Sequence, residues 1–272
     1  SCSLGSDRSQ SILVHHSISV LFAPFEISII GGNRTVDANQ DIVLEASPVN
    51  ILELPDTVLS FAWKCYVYGR PCRNEDGKIV ALANSKSVTI PAQNASFVQA
   101  YVPILFVVEA LQNFQVASSS VLITPVFERI PDIYVFVPSF LKRLPDGTIK
   151  VDNSRLALEA VSSSSDVEWE WASNSTVDLD SPRTSPLGRF STSLLLRDYT
   201  SPGAVLVFRL FGKFVGGQKY AESSVTVVVN SPPSGGSCVV SPLAGVELVT
   251  SFTASCTSWG DEDDPLSYSF GY

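Results

Sequence analysis

Short runs of alternating apolar and polar residues, broken by Gly, Pro, Asn or Asp, fill this 272-residue chain. Such alternation places every second side chain on one face of a strand, and no segment keeps helical apolar spacing beyond about two turns. Leu59, Phe61, Trp63 and Cys65 are an example, because all four fall on one face of a predicted strand. The pattern predicts an all-β chain of tandem immunoglobulin-like or fibronectin type III-like β-sandwich domains.

Proline-containing breaks divide the strand series into units. The predicted domains are the C-terminal strands of a preceding sandwich (1–23), two sandwiches (24–125 and 126–230) and the N-terminal part of a truncated one (231–272). The clearest linker signal is Ser231-Pro-Pro-Ser-Gly-Gly236. The predicted strands are 17–22, 42–46, 59–65, 87–90, 102–110, 118–124, 133–137, 156–160, 167–171, 193–196, 205–214, 223–229, 238–241, 248–256 and 266–270. Trp63 and Trp171, each in the middle of a unit, are expected to fill the space between two sheets.

Composition narrows the class of protein. Hydrophobic residues make up 45% of the chain and charged residues 17%, which is too apolar for a disordered segment. The net charge is −9 and the Lys and Arg residues are scattered, so no nucleic-acid partner is expected. No apolar run approaches the roughly 18 to 20 residues of a membrane span, so membrane association is expected only through parts of a parent protein outside this chain. The chain contains no methionine, which suggests an internal segment or a processed product.

The sequence offers no catalytic constellation. The two histidines, His15 and His16, are neighbours on a predicted strand, where adjacent side chains point to opposite faces. Hydrolase, metalloprotease and phosphate-loop motifs are absent from the sequence. We therefore expect no enzyme activity, no cofactor, and no catalytic, cofactor-binding or metal-binding residues.

Cysteines and glycosylation motifs indicate an oxidising compartment. Cys65 with Cys72, and Cys238 with Cys256, are predicted disulfides, since zinc sites usually combine four Cys or His ligands with a short knuckle. Cys2 has no predicted partner in this sequence. Its partner either lies upstream in a longer chain, or Cys2 is a free or intermolecular thiol. Three asparagines begin Asn-x-Ser/Thr motifs and are predicted glycan carriers: Asn33, Asn94 and Asn174. Together these features predict an extracellular location.

The acidic cluster Asp261-Glu-Asp-Asp264, followed by Pro265, has two interpretations. Clustered carboxylates suit Ca²⁺, but a shell of six to eight oxygens would need further ligands from another loop. In the second interpretation the cluster is a solvent-exposed turn, because Asp followed by Pro commonly begins a turn that leads into a strand. We expect a structural turn and leave calcium binding as the alternative.

The last forty residues resemble the REJ (receptor for egg jelly) module. The resemblance is carried by Pro232-Pro-Ser-Gly-Gly-Ser-Cys238-Val-Val-Ser-Pro242, by Leu248-Val-Thr-Ser-Phe252-Thr-Ala-Ser-Cys256 and by Trp259-Gly-Asp-Glu-Asp-Asp-Pro265-Leu-Ser-Tyr268-Ser-Phe270. Earlier, Gly31-Gly-Asn-Arg-Thr35, Trp63-Lys-Cys65 and Cys72 resemble the preceding subdomain of the same module. The resemblance extends over roughly residues 17–272 and is architectural only between 126 and 220.

The resemblance implies consecutive fibronectin-type subdomains in a large extracellular region, as in polycystins and sperm egg-jelly receptors. It implies a non-catalytic array that acts as spacer, scaffold and partner-binding surface of a cell-surface or ciliary-membrane glycoprotein. Expected partners are other domains of the same parent chain and extracellular proteins or glycans. The alternative is a structural subunit of an extracellular ciliary filament or coat, such as a mastigoneme.

Overall fold

The computed structural model describes residues 25–49, 59–92, 96–112, 115–138, 141–144, 146–152, 155–174, 177–196, 201–261 and 266–269. The predicted strand 17–22, together with Cys2, His15, His16 and Asn94, lies outside the described residues. The regular structure of these ranges consists of strands, without a helix, and so they contain no helix suited to cross a bilayer. The strands are β1 (Glu26–Ile29), β2 (Asn33–Asp37), β3 (Ile42–Val49), β4 (Ser60–Val67), β5 (Arg70–Pro71), β6 (Ser87–Ile90), β7 (Ile104–Gln112), β8 (Gln115–Val126), β9 (Ile133–Phe136), β10 (Lys142–Arg143), β11 (Ile149–Val151), β12 (Leu156–Ser162), β13 (Val167–Ser173), β14 (Ser193–Leu196), β15 (Val205–Phe214), β16 (Ala221–Val229), β17 (Ser237–Ser241) and β18 (Thr253–Thr257).

The first sandwich packs a sheet of order β1-β3-β6 against strands in the order β2-β8-β7-β4-β5. Neighbouring strands are antiparallel except β2 and β8, which run parallel with Arg34 opposite Ile123. The chain therefore contributes its first strand to one sheet and then crosses to the other. This split first strand is a simple way to close both sheets of an immunoglobulin-like sandwich.

The second sandwich repeats this topology. One sheet has the order β14-β12-β9, and the other places β11, β16, β15 and β13 side by side, with β10 flanking β11. Here β11 runs parallel to β16, just as β2 runs parallel to β8. The predicted all-β fold of tandem sandwiches is confirmed.

Each sandwich has its own apolar core. The first core includes Trp63, 5% exposed, and the fully buried Phe106, while the second is built around Trp171 and Phe208, both 0% exposed. Strict alternation produces these cores, since every second residue of β16 is buried from Ala221 to Val229. The expected core positions of both tryptophans are confirmed. The domain limits near residues 24, 126 and 231 stay predictions.

The two sandwiches share one continuous sheet. At its N-terminal end β2 pairs with β16 of the second sandwich, with Arg34 opposite Ser223 and Asn33 opposite Ser224. From Arg34 to Asp37 the same strand pairs with β8 of the first sandwich. We call the region around β2 the junction. Ten strands thereby form a single hydrogen-bonded sheet within the described residues.

The segment after residue 230 forms a hairpin of β17 and β18, and its described residues are exposed or half-buried. The predicted strand 248–256 is wrong at its start, because β18 begins at Thr253. Residues 246–250 form a turn instead, in which the Thr250 N–H donates to the Val246 carbonyl at 2.9 Å. The Thr250 hydroxyl oxygen accepts from the Val246 N–H at 2.7 Å, so this side chain closes the turn locally. The described residues 266–269 of the predicted strand 266–270 are not in a strand.

Candidate functional site: the junction between the two sandwiches

The turn before β2 places that strand between the sandwiches. Gly31 and Gly32 have φ of +92° and +56°, a backbone region that residues with a side chain rarely adopt. The sharp reversal sends the chain from β1 in one sheet to β2 in the other. β2 itself is polar, and Val36 is its buried apolar residue, so its position depends on hydrogen bonds from both neighbours.

Hydrogen bonds from side chains fasten the second sandwich to this turn. The Glu222 N–H donates to Thr35 Oγ1 at 2.7 Å, and that hydroxyl donates to the Glu222 carbonyl at 3.3 Å. The fully buried Ser223 donates its hydroxyl to the Gly31 carbonyl at 3.4 Å and accepts from the Val135 N–H at 3.2 Å. Because buried polar groups are costly without partners, these contacts make the two surfaces specific for each other.

Arg34 is the charged group at the centre of the junction. Its Nη1 donates to the carbonyls of Ile30 and Gly32 at 3.2 and 3.3 Å, and its Nη2 donates to the Val43 carbonyl at 3.3 Å. Burial lowers the pKa of the guanidinium from its ordinary value, and the nearby charge of Asp132 opposes that shift. Because an arginine guanidinium stays protonated in proteins, Arg34 is a charged donor that binds the turn to strand β3.

A second set of polar contacts is centred on Glu128, in the segment that joins β8 of the first sandwich to β9 of the second. Lys219 Nζ donates to Glu128 Oε1 at 2.8 Å, and the Tyr101 hydroxyl donates to the same oxygen at 2.9 Å. These hydrogen bonds lower the pKa of Glu128, first that from Lys219 and then that from Tyr101. The carboxylate thus joins a loop of the first sandwich to a loop of the second.

Two clefts open at the junction. The smaller, of about 50 Å³, is lined by residues of both sandwiches, among them Asn33, Ser120, Arg143 and Ser224. We call it the junction cleft. A larger one of about 190 Å³ is lined by Arg34, three aspartates and the half-buried Phe214, among others.

No metal centre is found at these clefts or elsewhere in the ranges that the structure describes, since no three His, Cys, Asp or Glu side chains there could hold an ion. Asp261 is half-buried, and residues 262–265 of the acidic cluster lie outside the described residues. The choice between a turn and a calcium site at 261–264 therefore stays a prediction.

Both cysteine pairs form disulfides. Cys65 and Cys72 have Cα atoms 5.5 Å apart, are almost fully buried, and connect β4 to the chain just after β5. Cys238 and Cys256 lie directly opposite each other on β17 and β18, with Cα atoms 4.1 Å apart. The first disulfide closes the edge of the first sandwich, and the second holds the hairpin together.

Two of the three glycosylation motifs lie on described residues. Asn33 and Asn174 are both exposed. Asn33 Oδ1 accepts from the Leu122 N–H at 2.8 Å, and Asn174 Oδ1 accepts from the Val207 N–H at 2.8 Å. Each side-chain carbonyl therefore extends a strand ladder, although only Asn33 of the two lines the junction cleft. Glycan attachment at Asn33, Asn94 and Asn174 stays a prediction.

Sequence reasoning missed the bridging role of β2, because Asn33-Arg-Thr-Val-Asp37 has too few apolar residues to stand out as a strand. It also missed a local motif that the two predicted units share. Trp63 Nε1 donates to the Ser85 carbonyl at 2.9 Å, and Trp171 Nε1 donates to the Ser191 carbonyl at 2.9 Å. Each serine begins a Ser-x-Ser-apolar-x-apolar segment at the start of β6 or β14, and this repeated pattern would have aligned the two units.

The strand order, the two cores and the junction define a pair of immunoglobulin-like sandwiches joined side by side. The profile of the REJ domain matches residues 3–272. The chain belongs to the REJ domain family, as the sequence motifs indicated.

The chain is also similar to known proteins and solved structures. Human polycystin-1 is 27% identical over 252 residues, which cover 88% of this chain and 6% of polycystin-1. The chain thus spans only a small part of the length of that relative. Similar solved structures include Drosophila N-cadherin EC1-3 (13% identity, 77% of this chain, 68% of that chain, TM-score 0.34). The fibronectin(III)-like modules of Clostridium thermocellum CbhA are also similar (12% identity, 75% and 94% coverage, TM-score 0.26). At these TM-scores the fold assignment rests on the strand order and cores described above.

Proposed function

We propose that this REJ domain is a non-catalytic extracellular module that holds two sandwiches at a fixed relative orientation. It serves as spacer and scaffold within a larger cell-surface or ciliary-membrane glycoprotein and presents its surface to partners. The observation that carries the proposal is the shared strand β2, which is hydrogen-bonded to β8 and to β16 at once. Interfaces between domains of one chain are often loose, whereas a shared sheet restricts both rotation and bending.

The extracellular location is supported by the two disulfides, because such bonds persist in oxidising compartments. It is supported further by membership of the REJ family and by similarity to polycystin-1. The partners we propose are other domains of the parent chain and extracellular proteins or glycans. Exposed apolar side chains of the hairpin segment, such as Val239, Leu243 and Leu248, suit contacts with protein domains.

The test is the relative motion of the sandwiches in solution. Residual dipolar couplings measured on the two sandwiches should fit one alignment tensor if the junction is rigid. Thr35→Val removes the paired hydrogen bonds to Glu222 while keeping the shape of the side chain. In this variant the couplings of the two sandwiches should require two different alignment tensors. Two tensors of different magnitude in the wild-type protein would contradict the spacer proposal. Assembly into filaments in sedimentation experiments would favour a coat subunit instead.

A further inference from the structure

Asn33 lies where the two sandwiches meet, and this distinguishes it from Asn174. It lines the junction cleft together with residues of β8, of β16 and of the turn between β10 and β11. Its backbone pairs with Ser224 of the second sandwich. A group attached to this side chain therefore starts beside both sandwiches.

The side-chain amide of Asn33 is held in one orientation. A backbone N–H can only donate to the oxygen of an amide, so the 2.8 Å contact from Leu122 identifies Oδ1 and directs Nδ2 away from that N–H. Nδ2 is the atom that carries an N-linked glycan. In that modification Nδ2 forms a bond to C1 of N-acetylglucosamine, a lipid pyrophosphate leaves, and the nitrogen loses one proton. The first sugar then starts from a fixed point at the cleft.

The order of synthesis also bears on this site. In the folded protein the hydroxyl of Thr35, the third residue of the motif, is hydrogen-bonded to Glu222, which lies 187 residues further along the chain. A glycosylating enzyme must reach that hydroxyl before strand β16 occupies it. The junction therefore has to close with the sugar already present.

The chemistry of the junction cleft suits a sugar. Its lining combines hydroxyl groups, one guanidinium, one carboxylate and a short apolar wall: Ser120, Thr148, Ser224 and Thr226, then Arg143, then Asp146, then Val135 and Val137. The Asp146 carboxylate accepts from the Thr148 N–H at 2.9 Å. Burial lowers the pKa of Arg143. An arginine guanidinium stays protonated in proteins, so Arg143 is a donor here. A cavity of 50 Å³ has room for about four water-sized groups, too little for a whole sugar ring but enough for an acetamido group.

We propose that the first N-acetylglucosamine of an Asn33 glycan lies against the junction cleft with its acetamido group inside. Its hydroxyl and amide groups bond to both sandwiches, so the sugar becomes part of the junction. This inference rests on the proposed extracellular function only in that the chain must pass through the secretory pathway.

The experiment compares two glycans in one molecule. Glycoprotein from secreting cells is treated with an amidase that cleaves the bond between Asn and the first sugar, and release is followed by peptide mass spectrometry. In the native state we expect release at Asn33 about tenfold slower than at Asn174, as a few net hydrogen bonds would cause. After denaturation the two rates should be equal, which removes effects of local sequence.

The cleft residue Arg143 provides the matched variants. Arg143→Ala should raise the native release rate at Asn33 several-fold and leave Asn174 unchanged, and the milder Arg143→Gln covers the case in which the alanine variant does not fold. Native release at equal rates, or slow release that neither variant accelerates, would overturn the proposal. An unmodified Asn33 in protein whose Asn174 is glycosylated would also overturn it, without touching the rigid-spacer function.

Discussion

Trp63 and Trp171 occupy equivalent places in the two sandwiches, and each combines an apolar body with one satisfied donor. Trp171 is 0% exposed, and its indole N–H bonds to the Ser191 carbonyl. We expect Trp171→Phe to lower the free energy of unfolding by about 2 kcal/mol, since it leaves a small cavity and the carbonyl of the half-buried Ser191 without its donor. Trp169→Phe, at a half-buried position on the same strand, is the control and should cost less than about 1 kcal/mol. If urea titrations give the same loss of unfolding free energy for Trp171→Phe and Trp169→Phe, the indole hydrogen bond of Trp171 contributes little to stability.

Gly31 is a second residue with a testable role. A Cβ added there would lie 2.5 Å from Arg34 Nη1, and the φ of +92° disfavours any side chain. Gly69 has a similar φ of +74° but nothing within 4 Å of an added Cβ, so it isolates the backbone effect. Gly69→Ala should cost about 1 kcal/mol and Gly31→Ala about 2 kcal/mol or more. If thermal unfolding shows the same loss for both variants, displacement of Arg34 has no consequence for stability.

At the scale of elements, the sequence predicted strands well where packing alone defines them. The bounds of β6 and β14 agree with prediction, because alternating Val, Ile and Leu side chains enter a core. β2 could not be predicted in this way, since its partners lie about 90 and 190 residues away in sequence. The candidate site could therefore be predicted only as separate residues, with Asn33 named for its glycosylation motif and Arg34 and Thr35 as its neighbours.

The contacts between loops at Glu128 should make the junction sensitive to acid. The folded-state pKa of Glu128 is lowered by Lys219 and Tyr101, so its stabilising contribution is present above the unfolded-state pKa and is lost as pH falls through the folded-state value. We expect amide hydrogen exchange at the junction to quicken as the pH drops from neutral to below about 4, after correction for intrinsic rates. Glu128→Gln should remove most of this acid dependence. Unchanged acid dependence in that variant would assign the effect to other carboxylates.

At the scale of the whole molecule, the two interdomain segments differ in exposure. Residues 231–235 are exposed, whereas Ile130 and Pro131, between the sandwiches, are buried. Limited proteolysis should therefore cut first near residues 231–236 and leave a resistant fragment that contains both sandwiches. Thr35→Val should make the segment near residue 126 the next to be cut. Early cleavage inside either sandwich would count against the predicted domain limits.

The shared strand also changes how a string of such units would bend. In a row of independently moving domains every domain boundary adds a hinge. If the shared sheet keeps the two sandwiches rigid as proposed, they act as one link and the hinge falls at the Pro-Pro-containing segment after them. For a freely jointed string of given contour length, halving the number of hinges roughly doubles the mean-square distance between its ends. A single five-residue strand would thus extend the reach of the whole string without adding any length to it.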